Sequence, residues 1–140
     1  MDNPKQILSW TDQAISLWTS KGIKLQNSIS VDIIPDFEKL LDFRFPKDFI
    51  DLYIKVNGFE DFDWNEHVFS LWSLERILKE YHEEKDTNYI GFCDFLINSH
   101  SIGFLKSGIG IYKSYEQTQP IATTFEDAIF LINSNSDLIY

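Results

Sequence analysis

The residues of this chain that could do chemistry are few: three histidines, one cysteine, and a loop in which carboxylates alternate with aromatics. His67, His82 and His100 fall at the start of an expected strand, at the end of an expected helix and in a turn. No two of them stand four apart on a helix, the spacing at which imidazoles share a metal. A single cysteine, Cys93, excludes an internal disulfide and a cysteine zinc site. Cys93, Asp94 and His100 can be drawn as a dyad with an adjacent acid, or Asp94 and His100 as a hydrolytic or small-ligand site in a sheet groove. Against this, a thiol in the middle of an apolar strand is usually inert. The plainer reading of Asp94 is an acid hydrogen-bonded to a nearby turn or set at a strand edge. Gly103, Gly108 and Gly110 fit no phosphate-cradling pattern, and Asp61 with Asp63 lacks the ligand order of an EF-hand. The expectation is a protein that is not an enzyme and that needs no metal or cofactor.

What remains is the loop Phe59-Glu-Asp-Phe-Asp-Trp-Asn-Glu66. Glu60, Asp61, Asp63 and Glu66 would hasten encounter with a basic protein, and Phe62 and Trp64 would supply buried anchors. In the alternative, Phe59, Phe62 and Trp64 pack inward and the acids are merely solvated. Alternation places acids and aromatics on opposite sides in either case. Asp94, Tyr115 and Glu116 complete the expected contact residues, with Glu83–Asp86 as a further acidic surface. A net charge of −10 makes nucleic acid a poor partner, because phosphate binding is driven by Lys and Arg.

These side chains must be positioned by one domain over residues 1–140, a length that supports a substantial core. The organising stretch is Tyr89 to Lys113, nearly uncharged and broken by Asn98-Ser99-His100, Ser107-Gly108 and Gly110. It predicts three consecutive antiparallel strands, Tyr89–Ile97, Ser101–Lys106 and Ile109–Tyr112, joined by tight turns. Strict alternation would put Ile90, Phe92, Asp94 and Leu96 on one face, and Tyr89, Gly91, Cys93, Phe95 and Ile97 on the other. Both faces are then largely apolar and expected to be partly covered. Val68–Trp72 is a further strand, Pro120–Thr123 a short one, and Asp137–Tyr140 a final extended segment.

Helices are expected at five places. The first spans the N-terminal residues 1–22, from an Asn3-Pro4 start through Ile7, Trp10, Ala14 and Leu17 to Lys21-Gly22, and packs on a core of residues 33–134. Residues 23–32 are a connector. A second helix runs Ile34–Asp42. A third starts at Pro46 and ends at Asn57-Gly58 in a left-handed cap. Ser73 caps one over Leu74–His82, and Thr124 caps the last, Phe125–Asn133, whose apolar side chains include Phe125, Ile129, Phe130 and Ile132. The N-terminus lacks a secretion signal, and no apolar run is long enough to span a membrane, so a cytoplasmic protein is expected.

Several of these pieces resemble, in order and spacing, the SMI1/KNR4 family, or SUKH superfamily. They are Glu38-x-x-Leu41, Phe45-Pro46-x-Asp48-Phe49, Asn57-Gly58, Phe69-Ser-Leu-Trp-Ser-Leu74, Ile90-Gly91-Phe92 with Asp94, Gly110-Ile111-Tyr112 and Ile121-Ala122-x-x-Phe125. The likeness covers roughly residues 33–134, and departs from the family at Asp42-Phe43, where a glycine is common. It implies an α+β domain with a curved, mostly antiparallel sheet flanked by helices. It also implies an immunity protein that neutralises a cognate bacterial polymorphic or contact-dependent toxin, often a nuclease, by stoichiometric binding. Eukaryotic members act as regulatory scaffolds, the alternative role. The resemblance brings no catalytic residue.

Overall fold

The computed structural model describes residues 8–140. The expected helix start at Asn3-Pro4, with Ile7, lies outside the described residues. Those described form five α-helices and one antiparallel sheet: α1 (Trp10–Ser20), α2 (Ile34–Leu41), α3 (Lys47–Tyr53), β1 (Phe69–Leu71), α4 (Leu74–Glu83), β2 (Tyr89–Phe95), β3 (His100–Leu105), β4 (Ile111–Lys113) and α5 (Phe125–Asn133). The sheet order is β1-β2-β3-β4, with every neighbouring pair antiparallel. This is the expected α+β class.

Local chemistry accounts for most of the helix ends. Ser9, Ser73 and Thr124 each accept a hydrogen bond from the backbone N–H three residues on, capping α1, α4 and α5. Asp42 closes α2 in the left-handed conformation, φ 52°. An aspartate tolerates that region better than most residues, so the turn forms here without a glycine. Glu38 Oε2 accepts the Phe45 N–H at 2.7 Å, and Asp48 Oδ2 accepts the Glu126 N–H at 2.9 Å, tying α2 to the segment that leads into α3 and α3 to α5.

Four expectations are corrected. Helix α3 ends at Tyr53, not at Asn57-Gly58. Gly58 (φ 74°) instead lies against the β1–α4 junction, where a Cβ would stand 2.5 Å from the Trp72 carbonyl oxygen. The 137–139 segment is a 3₁₀ turn capped by Ser136 rather than extended chain, and Pro120–Thr123 makes only an isolated bridge, Ala122 to Ile111. Finally, β2 stops at Phe95, and Leu96, Ile97 and Asn98 take positive φ angles of 50°, 51° and 65°.

The face assignment of β2 also changes. Gly91 pairs with Gly103 and Cys93 with Ile102, leaving Phe92 as an extra residue. This bulge flips the alternation. Ile90, Phe92 and Cys93 all join the main core, whereas Asp94 lies on the face of Gly91 and Tyr89. The core itself is aromatic: Phe49 stacks on Phe45 and Tyr53 at 4.1 and 4.0 Å, and Phe92 meets Phe104 and Phe125 at 5.1 and 4.9 Å. A smaller cluster, Tyr89, Leu105 and Tyr112, sits apart from it.

Candidate functional site

The loop after Gly58 runs along the free edge of β1. The Phe59 N–H donates to the Leu71 carbonyl at 2.8 Å, the Asn65 N–H to the Phe69 carbonyl at 2.8 Å, and Ser70 Oγ to the Asp63 carbonyl at 2.7 Å. Edge groups that would otherwise template aggregation are thereby occupied. With both ends of the loop pinned, its aromatics divide. Phe59 is buried against Trp18, with ring centroids 5.1 Å apart. Phe62 turns outward at φ 64° and is 86% exposed, and Trp64 is 39% exposed.

The acids of the loop divide too. Asp63 is a staple: its carboxylate accepts the Lys24 N–H at 2.6 Å and the Trp64 N–H at 3.0 Å. Glu66 pairs with Lys21 at 3.2 Å on the surface, a contact of small energetic weight. Glu60 and Asp61 are exposed.

Facing the loop is the turn that follows β2. Its first residue, Leu96, donates its N–H to the Val68 carbonyl at 2.9 Å, and Val68 itself has φ 66°. Two left-handed segments are therefore joined at the end of the β1–β2 ladder. Left-handed backbone costs an ordinary L-residue about 1–2 kcal/mol, more for a β-branched one, and persists only where surroundings enforce it. For Val68 the enforcing group is Asn65, whose backbone carbonyl accepts the Val68 N–H at 3.0 Å; for the turn after β2 it is Asp94, which is 2% exposed. It accepts the Asn98 N–H at 2.7 Å and the Trp72 Nε1–H at 2.8 Å, and pairs with Arg76 Nη2 at 3.4 Å. The acid thus bonds to a turn, as its plainer reading expected. The Arg76 guanidinium lies 4.6 Å over the Trp72 ring, reaches Asn98 Oδ1 at 3.4 Å, and approaches Glu80 at 3.6 Å. Gly91 makes room for this stack, since a Cβ there would stand 3.0 Å from the Trp72 indole. The floor of α4 is secured by Asn57, whose Oδ1 accepts the Leu74 N–H at 2.8 Å and whose Nδ2 donates to Glu75.

Between these parts lies an open cleft of about 370 Å³, walled by Asp61, Phe62 and Trp64 on one side, Val68, Ile97 and Asn98 on another, and Glu75, Arg76, Lys79 and Glu80 of α4, with Asp94 beneath. Of the residues expected from sequence, Asp61, Phe62, Trp64 and Asp94 meet here. Tyr115 and Glu116 do not: Tyr115 packs edge-on against His100 at 5.3 Å, and Thr118 hydrogen bonds hold the Glu116 carboxyl below its ordinary range. Val68, Arg76, Ile97 and Asn98 were not anticipated. Asn98 carried the turn signal, but nothing in the residue types announces positive φ at Val68 or Ile97.

The dyad is not assembled. Cys93 faces the core, and burial, reinforced by neighbouring Asp94, pushes its thiol well above the usual range. His100 Nε2 donates to the Ile139 carbonyl at 2.9 Å. Among the described residues, no three His, Cys, Asp or Glu side chains gather as a metal site would, and no helix is long and apolar enough to cross a membrane.

The sequence profile of the SMI1 / KNR4 family (SUKH-1) matches residues 28–131, so the chain belongs to this family, whose members are commonly immunity proteins. No curated protein matches the chain.

Proposed function

We propose that this member of the SMI1/KNR4 family is an immunity protein that binds a cognate toxin one to one and covers its working surface. Family membership carries the reading. The cleft supports it: exposed Phe62, Trp64 and Ile97, the first and last on left-handed backbone, stand beside exposed Glu60 and Asp61, in a chain of net charge −10. Apolar anchors within an acidic field suit a basic protein surface of the kind a nuclease presents to its substrate. Binding there would mask that surface without any chemistry.

The test is to express the protein encoded beside this chain's gene, alone and together with the chain. The expected result is growth arrest relieved by co-expression, with the two proteins recovered as an equimolar complex. A neighbour that is harmless, or one that stays toxic and uncomplexed, would overturn the reading.

A further inference from the structure

We propose that the cleft receives one basic side chain, an arginine in preference to a lysine, carried on a projecting segment of the protein partner. This rests on the partner-binding reading above and names what enters the site. Among the lining residues four carboxylates, Asp61, Glu75, Glu80 and Asp94, face two cations, Arg76 and Lys79. The Arg76 charge is already engaged by Asp94 and Glu80, at 3.4 and 3.6 Å. Asp61 and Glu75 stand exposed at the rim, Glu75 held only by the neutral Asn57 amide, and with Lys79 counted the lining still carries two more carboxylates than cations, so the cleft accepts a further positive group. The neighbouring rings choose its kind. A guanidinium forks onto carboxylates and stacks on aromatic faces, and an ammonium does neither as well.

The cleft wall already contains a related arrangement, with the Arg76 guanidinium over Trp72 and its nitrogens shared between Asp94 and Glu80. An incoming arginine beside Phe62 and Trp64 would repeat it one layer out, with Ile97 against its methylene stem. Exposed Phe62 and Ile97, at 86% and 66%, identify the carrier as a protein surface rather than a free polyamine, since their burial requires apolar neighbours around the cation.

The experiment is an NMR titration of the ¹⁵N-labelled chain with three blocked tripeptides, Ac-Gly-Xaa-Gly-NH₂, in which Xaa is arginine, lysine or citrulline. The arginine peptide should give saturable shifts at the Trp64 indole and Asn98 amide, the lysine peptide weaker ones and the citrulline peptide none. The double variant Asp61→Asn, Glu75→Gln should weaken the arginine response by roughly threefold or more. Both positions are exposed, and glutamine keeps an acceptor for Asn57, so the fold is retained. Equal shifts with citrulline, or shifts confined to other surfaces, would overturn the proposal. If the arginine peptide binds but the neighbouring protein is not neutralised, the site stands and the immunity reading falls. If that protein is neutralised while Trp64 and Asn98 ignore the peptides, the immunity reading stands and this site falls.

Discussion

The aromatic core and the cleft are built from the same residue types under opposite rules. In the core, Phe45, Phe49, Phe92, Phe104 and Phe125 are buried. Around the cleft, Phe62, Leu96 and Ile97 are exposed, and Phe62, Val68, Leu96, Ile97 and Asn98 all have positive φ. Only Asp42 and Asn135 share that conformation among the other described non-glycine residues. The core therefore carries stability, and the cleft spends part of it on holding apolar groups in water. Strain of this kind is retained where a shape must exist before its partner arrives.

Substitutions can break or sharpen this contrast. Phe49→Ala empties the centre of the stack and should cost about 3–5 kcal/mol in denaturant unfolding. A loss below about 1 kcal/mol would mean the core is far looser than its ring spacings indicate. Gly58→Val combines positive φ with a Cβ 2.5 Å from the Trp72 carbonyl oxygen. It should cost about 2–4 kcal/mol through strain and overpacking. An unchanged unfolding midpoint would show that the 57–58 segment does not abut Trp72.

Ile97→Gly should act in the other direction. Relief of about 1–2 kcal/mol of left-handed strain outweighs about 0.5–1 kcal/mol of added chain entropy, leaving a small gain in stability. The same change should weaken partner binding. A destabilised Ile97→Gly variant would mean that the turn is not strained. Smallest of all, Asp61→Asn should leave the melting temperature unchanged and slow association several-fold at low salt. Association insensitive to both the variant and salt would remove the electrostatic part of the account.

The core was legible in the sequence because its signals are periodic and local. Ser73 and Thr124 cap the helices they were expected to cap, and the strands fall between turn formers. The cleft was legible only in its acidic half, through the run from Phe59 to Glu66. Its other half depends on the Phe92 bulge, which moves Asp94 to the opposite face, and on a β-branched residue held at φ 51°. The turn is held by Asp94, itself fixed by Trp72 and Arg76, tertiary contacts that no alternation of residue types encodes. Gly58 carried a true signal with a different cause: its lack of a Cβ serves a close approach to Trp72, not the end of α3.

The most direct test of the cleft as the recognition surface compares two exposed phenylalanines. Phe62 lines the cleft, and Phe130 lies on α5 away from it, 86% and 69% exposed respectively. Neither change to alanine should move the melting temperature of the free protein by more than about 2 °C. In surface-plasmon kinetics against the protein encoded beside this chain's gene, Phe62→Ala should speed dissociation roughly 30-fold, the loss of about 2 kcal/mol expected of an interface anchor. Phe130→Ala should dissociate as the unaltered chain does. Faster dissociation on changing Phe130, with Phe62 indifferent, would place the partner on the α5 surface and contradict the account.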